Sequence, residues 1–307
     1  MDGKRIGVDL GGTVIKMGIV EVGRVLEAAA FDTPVSEGYE AVLDKIAEGV
    51  GRLLAHCPEV KCIGMGVPGL IDSRKGTVCC SNNFGWQNVP FVEDMEKKLF
   101  TEQDTFMEQK TPLRVKIAND AQCAALGEAL YGAGRGYGRM AMFTIGTGVG
   151  GGFVRDGRLE SDRYGSMAYI FGHEAVEGKG RMCNCGRQGC LEAYASAEAV
   201  KKRSVSLYET PQSAKEIFEK AREGDAGAQC LVDELLEYLS MGAVNISNIL
   251  RPEVIVIGGG VSASADLILP RLQEELKKGV YGYEYAPVAA VCAELKNQAG
   301  TVGAAYL

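Results

Sequence analysis

Several things are missing from this 307-residue chain, and each absence closes off a class of function. No stretch of eighteen apolar residues occurs, so no segment reads as a membrane-spanning helix. Positive charge is not in excess: 33 Lys and Arg against 40 Asp and Glu leave a net charge of -7. That balance argues against a nucleic-acid or anionic-membrane partner, since both need a basic field. The N-terminus, MDGKRIGVDLGG, is charged and then strand-like, without the long apolar run and small-residue cleavage site of a secretory signal. A cytoplasmic location is the expectation, with the ten cysteines read as reduced thiols plus a metal site. What remains, 46% hydrophobic and 24% charged residues, is the composition of an ordinary globular protein with one large or two medium domains.

Histidine is scarce as well, with only two in the chain, and one of them opens the densest chemistry in the sequence. The run GHEAVEGKGRMCNCGRQGCLE at 172–192 carries His173, Cys183, Cys185 and Cys190. Thiolates and a neutral imidazole, four in a tetrahedron, are the ligands zinc prefers. Gly186 and Gly189 let the backbone turn so that Cys190 can return to a metal shared by Cys183 and Cys185. Three unrelated cysteines beside a core histidine, or a redox pair, are the competing readings. C-x-C is a poor spacing for an unstrained disulfide, and the tight clustering favours a closed structural zinc site. A loop clamped in this way would present Glu192, directly after it, to a polar ligand.

Along the chain, strands alternate with helices as in an α/β layer. Residues 5–10 and 14–20 read as strands joined by a Gly-Gly turn. At that turn Gly11 and Gly12 allow close backbone approach to phosphate, Thr13 offers a hydroxyl and Lys16 a positive charge. Asp9, at the end of the first strand, can hold a hydrated magnesium ion. A plain hairpin turn is the other reading, and the glycines do not continue into a P-loop. A helix is expected over 39–55, a strand over 62–67 and a helix over 91–100, with 101–110 an exposed insertion. Asn82, Asn83, Phe84, Gly85 and Trp86 form either a simple turn or a sugar-contacting loop.

A strand over 113–118 runs into Asn119 and Asp120, and a small-residue helix over 121–130 follows. Asp120 is then either the helix N-cap or a general base projecting where open α/β sheets bind ligands. A second strand–glycine–strand hairpin spans 140–152 and includes Gly146, Thr147 and Gly148, a weak internal duplication of the first. Two such hairpins across a cleft would offer backbone N–H groups to a polyphosphate. A third glycine run, with Gly259 and Gly260, follows a strand at 254–257. Helices are expected over 193–202, 213–223, 228–249, 266–278 and 301–307, and a last strand over 286–292.

Together D-L-G-G-T-x-x-K at 9–16, N-D-A at 119–121, G-T-G-x-G-G-G at 146–152, the G-H…C-x-C-G-x-x-G-C-L-E block and G-G-G-V at 258–261 resemble the ROK family (repressors, open reading frames and sugar kinases), in its glucokinase-like branch. The resemblance implies an actin-like ATPase (ribonuclease-H-like) fold, two α/β domains with a cleft between them, here 1–118 plus 295–307 and 119–294. It implies an ATP- and Mg2+-dependent kinase acting on a hexose, commonly at the 6-hydroxyl, and a homodimer. Carried onto this chain, Asp120 is the base and Asn119 holds the sugar. His173 ligates Zn2+ while its loop touches the sugar, Glu192 accepts sugar hydroxyls, and Gly69 and Asn83 fall where the family's other sugar loops lie.

One position departs from the pattern. The family's E-x-G-H has a glutamate three residues before the histidine, where this chain has Ile170. A buried apolar side chain there would leave a sugar hydroxyl unpaired, at a cost of about 1–3 kcal/mol. That puts glucose itself in question and admits a related or N-acylated hexose, or a catalytically weak sugar-binding protein. A sugar-responsive transcriptional regulator is the reading from another class. It needs a DNA-binding helix-turn-helix ahead of Asp9, where this sequence has eight residues, and a basic footprint.

Overall fold

The computed structural model describes residues 3–106 and 113–307. The chain divides into two compact units: Met1–Arg135 with Gly157–Tyr169 and Asn297–Leu307, and Gly136–Asp156 with Ile170–Lys296.

In the first unit β1 (Arg5–Leu10), β2 (Val14–Glu21) and β3 (Arg24–Asp32) form an antiparallel meander. After α1 (Tyr39–His56), β4 (Cys62–Val67) pairs parallel to β1. A small antiparallel sheet of β5 (Leu70–Asp72), β6 (Thr77–Ser81) and β7 (Trp86–Val89) was not expected from the sequence. Then come α2 (Phe91–Phe106), β8 (Arg114–Asn119), parallel to β4, and α3 (Asp120–Tyr131). The main sheet therefore runs β3-β2-β1-β4-β8. The supposed insertion at 101–110 instead prolongs α2 through Phe106, and its remainder lies outside the described residues.

Period-2 alternation decides which side of this sheet does what. Ile6, Val8 and Leu10 of β1 and Ile63, Met65 and Val67 of β4 join one core. That core includes Val42, Leu43, Ile46, Val50 and Leu53, spaced along one stripe of α1. The intervening Gly7, Asp9, Gly64 and Gly66 face the other way.

The second unit repeats the plan. β9 (Arg139–Ile145) and β10 (Val149–Arg155) are an antiparallel hairpin, followed in the chain by the short β11 (Arg158–Leu159) of the first unit. The expected helix over 193–202 is broken into α4 (Glu192–Ala195) and α5 (Ala197–Ser204), because Ser196 leaves helical geometry to cap α5 through the Ala199 N–H. α6 (Ala214–Arg222) opens on a Ser213/Glu216 capping box, and α7 (Ala226–Leu250) on Asp225. β12 (Val254–Gly258), α8 (Ala265–Gly279) and β13 (Ala289–Cys292) complete a β10-β9-β12-β13 order, the counterpart of β2-β1-β4-β8. This duplicated order is the ribonuclease-H-like fold of the actin-like ATPases.

The chain ends in α9 (Ala299–Ala305), which belongs to the first unit. It lies on the glycine side of the sheet at backbone contact. A Cβ on Gly64 would stand 1.7 Å from the Ala304 carbonyl oxygen, and one on Gly7 1.9 Å from that of Thr301. Gly303 meets α3 as closely, its added Cβ falling 1.7 Å from the Cys123 carbonyl oxygen. This three-layer contact keeps α3 in the first unit, so the division differs from the one expected at 118/119.

Candidate active site

The first unit places Asp9 and Asp120 at the ends of β1 and β8, on the glycine side of the sheet. Burial pushes the Asp9 carboxyl up to about 6; the charge of Asp120 adds to the rise, and Lys16, directly opposite on β2, opposes it. Burial also raises Asp120, partly offset by hydrogen bonds from the Ala121 and Asp120 backbone N–H groups and the Asn119 side chain. The first turn of α9 comes close: a Cβ on Gly300 would stand 2.6 to 2.9 Å from the Asp9 carboxylate atoms.

The helix cap is Asn119, not Asp120. Asn119 Oδ1 accepts the N–H of Ala121 at 3.0 Å and of Gln122 at 3.3 Å, and Asp120 is the first helical residue. Asn119 Nδ2 donates to the Gly69 carbonyl at 3.1 Å, and Gly69 needs its φ of +117° to pack against Cys80 and Ser81. The Asp120 carboxylate is therefore not consumed by capping, while most of the Asn119 amide is.

At the β1–β2 turn Gly12 and Thr13 are exposed, and a Cβ on Gly12 would meet nothing within 4 Å. Gly11 donates its N–H to the Val14 carbonyl at 3.1 Å, and Thr33 ties the turn down through the Gly11 and Thr13 carbonyls. Asn83 stands exposed on the β6–β7 turn. Its neighbour Trp86 is 6% exposed and packs against Tyr39, Phe84 and Phe91. The tryptophan is thus a core residue.

In the second unit the parallel pairing of β9 and β12 brings two glycine turns to neighbouring strand ends. Thr147 is exposed at the tip of the hairpin turn, and Gly259, at φ +81°, lies against the Ile145 backbone. Gly260 opens a short 3-10 helix, with free space where a side chain would stand.

His173, Cys183, Cys185 and Cys190 converge, their ligand atoms all within 4.8 Å of one another. Cys183 Sγ is 3.6 Å from His173 Nδ1, and the Cys185 and Cys190 sulfurs are 3.7 Å apart. A zinc tetrahedron with Zn–S bonds of about 2.3 Å has edges of about 3.7 Å, so this donor set fits the ion in chemistry and size. Burial raises the metal-free Cys183 and Cys190 thiols. Cys185 goes down to about 7: burial opposes the shift, but hydrogen bonds with Arg187, Cys183 and Cys190 together outweigh it. Gly186 and Gly189 do adopt left-handed backbone, at φ +85° and +77°.

Glu192 leaves this loop as the first residue of α4, and its Oε2 accepts the Val149 N–H at 3.0 Å. A Cβ on Gly148 would sit 2.3 Å from the same oxygen. The carboxylate thus rests on the second glycine hairpin. Ile170 is half-buried, not buried as the sequence suggested, and its carbonyl accepts the His173 N–H at 3.1 Å.

Sequence reasoning missed Thr33, Gly300, Ser166 and Gln122. Only Gln122 left a signal, a polar residue inside the small-residue helix A-Q-C-A-A-L.

Residues 5–307 match the ROK family. The chain is 36% identical to the glucokinase of Thermotoga maritima, over 99% of its own length and 96% of that protein. It is 32% identical to an N-acetyl-D-glucosamine kinase of Escherichia fergusonii, over 83% and 84% of the two chains. The solved structure of a ROK family glucokinase from Streptomyces griseus, in complex with glucose and AMPPNP, superposes with a TM-score of 0.81 at 32% identity, covering 99% of this chain and 98% of that one.

Proposed function

This chain belongs to the ROK family, and on that premise we propose that it is an ATP-dependent kinase transferring the γ-phosphoryl group to a hexose hydroxyl, with Asp120 as general base. The observation that carries this reading is the Asp120 carboxylate, held at the start of α3 with a raised pKa and relieved of capping by Asn119. A carboxylate whose pKa is raised is a stronger acceptor for a hydroxyl proton than one at its ordinary value. As the sugar oxygen bonds to phosphorus, the bond from phosphorus to the bridging oxygen of ADP breaks. The hydroxyl proton passes to Asp120 and then to solvent. The 6-hydroxyl is the expected acceptor.

Asp9 fits a hydrated magnesium ion, since an acid raised by burial and by a neighbouring carboxylate gains most from a cation. Bound there, the ion would neutralise phosphate charge during transfer. Gly11, Gly12, Thr13 and Lys16, Gly146, Thr147 and Gly148, and Gly259 and Gly260 are the phosphate- and nucleotide-holding groups of this reading. Of these, Gly12, Thr13, Thr147, Gly259 and Gly260 are exposed, so phosphate oxygens can approach the backbone there.

His173, Cys183, Cys185 and Cys190 would hold structural zinc, which shapes the loop bearing Glu192. Gly69, Asn83, Asn119, His173 and Glu192 contact the sugar in this reading. Ile170 favours a hexose modified where the family glutamate would meet a hydroxyl, an N-acylated sugar among them. A coupled ADP-release assay over hexoses and N-acyl amino sugars tests the proposal. Zinc-loaded, folded protein that turns over none of them would overturn it.

A further inference from the structure

Two residues with buried polar side chains are bonded into the backbone on either side of the proposed base. Gln122, in the first turn of α3, and Ser166, in the segment Gly157–Tyr169 of the same unit, are each 1% exposed. A buried amide and hydroxyl are costly unless their hydrogen-bonding groups are used. Here they are used in series. Ser166 Oγ accepts the Asn119 backbone N–H at 3.0 Å and donates its own proton to Gln122 Oε1. Gln122 Nε2 then donates to the Ala168 carbonyl at 2.7 Å. The chain closes on itself, because the Gln122 backbone N–H is one of the two that Asn119 Oδ1 caps.

The far end of this chain is anchored. Asp162 Oδ1 accepts the N–H of Tyr164 at 2.8 Å and of Gly165 at 3.0 Å. The Tyr164 carbonyl accepts the Arg74 N–H, and Ser166 forms an isolated bridge to Ile71 of β5. Gly165, at φ +107°, is pressed against Ser73, where a Cβ would fall 1.9 Å from the hydroxyl. Ser166 is thus held by an anchored segment as well as by its bonds to Asn119 and Gln122.

We infer that Ser166 and Gln122 are positioning residues for the phosphoryl transfer. Their relay fixes Asn119 and the first turn of α3 on the anchored segment, and so sets where the Asp120 carboxylate points. The inference rests on the reading of Asp120 as base. Residue 119 has two reasons to stay put: its backbone N–H is held by Ser166 and its side chain caps the helix. Residue 120 sits between 119 and the capped amides of 121 and 122, so its Cα has little freedom. Losing either relay member leaves a buried donor or acceptor unmet, and the first turn can relax to satisfy it. A shift of about 1 Å in a reacting group is enough to cost up to a hundredfold in rate.

The test measures kcat for Ser166→Ala and Gln122→Met, each alone and each combined with Asp120→Asn. On the wild-type background each lowers kcat by about tenfold or more, with the KM for ATP unchanged. On the Asp120→Asn background the same substitutions lower it by less than about twofold, because residues acting through one another are not additive. Ser166→Thr, which keeps the hydroxyl, restores turnover. A loss of equal size on both backgrounds would make the relay a stability element only. Wild-type kcat in folded variants would also overturn the inference.

Hydrogen exchange at the Ala121 and Gln122 amides reads the relay without turnover. Protection falls in Gln122→Met if the relay holds the turn and stays at the wild-type level if it does not. Should the wild-type protein phosphorylate no sugar, the functional reading fails, while the exchange experiment still decides whether the relay orders α3.

Discussion

The Glu192 carboxylate accepts the Val149 backbone N–H at 3.0 Å and lies against Gly148, so one side chain joins the cysteine-rich loop to the second glycine hairpin. A carboxylate has two oxygens. Oε2 is engaged by the hairpin, and Oε1 accepts from Cys183 Sγ at 3.7 Å. A zinc-bound thiolate no longer donates, and in the proposed reading Oε1 would then be the oxygen that meets a sugar hydroxyl. Glu192→Ala is therefore expected to raise KM for both sugar and ATP, since the Val149 N–H loses its acceptor and the hairpin loosens. Steady-state kinetics with each substrate varied in turn check this. A change confined to the sugar KM would mean that the hairpin contact is incidental.

Asp120→Asn separates catalysis from folding more cleanly than the sequence suggested. Asn119 supplies the cap, so the substitution leaves capping untouched. Zinc content should match wild type and the unfolding midpoint should not fall, since burial raises the Asp120 pKa and the neutral amide escapes that cost near neutral pH. Meanwhile kcat drops by a factor on the order of 10² or more. Turnover within a few-fold of wild type would remove Asp120 from the role of base.

Asp9 is expected to show a cost of function. Its folded pKa, about 6, lies above its ordinary value of 3.8. The folded state therefore holds that proton more tightly than the unfolded state, and ligand-free stability falls as pH rises through that window. Asp9→Asn does not titrate. The variant should match wild type near pH 4 and exceed it above about pH 6, by at most about 3 kcal/mol. Urea titrations at several pH values without magnesium measure the difference; a gap that does not depend on pH would exclude the titration of Asp9 as its cause.

The cysteine cluster predicts one zinc per chain. Cys185→Ser, or prolonged chelation, should release the metal and expose residues 172–192 to exchange and proteolysis, because metal binding and local folding are one equilibrium. Elemental analysis and limited proteolysis read the two effects. Full zinc content in Cys185→Ser would rule that thiol out as a ligand.

Gly64→Ala tests the packing of α9. The added methyl would meet the Ala304 carbonyl oxygen at 1.7 Å, a backbone atom that cannot turn aside. Overpacking of this kind costs about 3 kcal/mol or more, and activity should fall too, since the same helix brings Gly300 against Asp9. Wild-type stability in this variant would show that α9 moves away at little cost.

The sequence by itself determined the α/β character, the two glycine hairpins and the Cys and His cluster whose ligand atoms converge. Each of these is written in local pattern: apolar periodicity along α1, glycines at a strand end, and Cys and His at ligand spacing with glycine turns between them. It could not locate the cap. Asn119 and Asp120 are neighbours with equal capping propensity, and only the direction of each side chain in the folded chain makes Asn119, not Asp120, the helix cap. Nor could it say that Trp86 is packed in the core, that residues 101–106 continue a helix, or that α3 and α9 share a layer. The Ser166–Gln122 relay spans 44 positions, and Gly300 meets Asp9 across most of the chain. Contacts of that range are set by which strands pair and which faces they turn inward. No local window of residues carries that information, because it exists only once distant segments have been packed together.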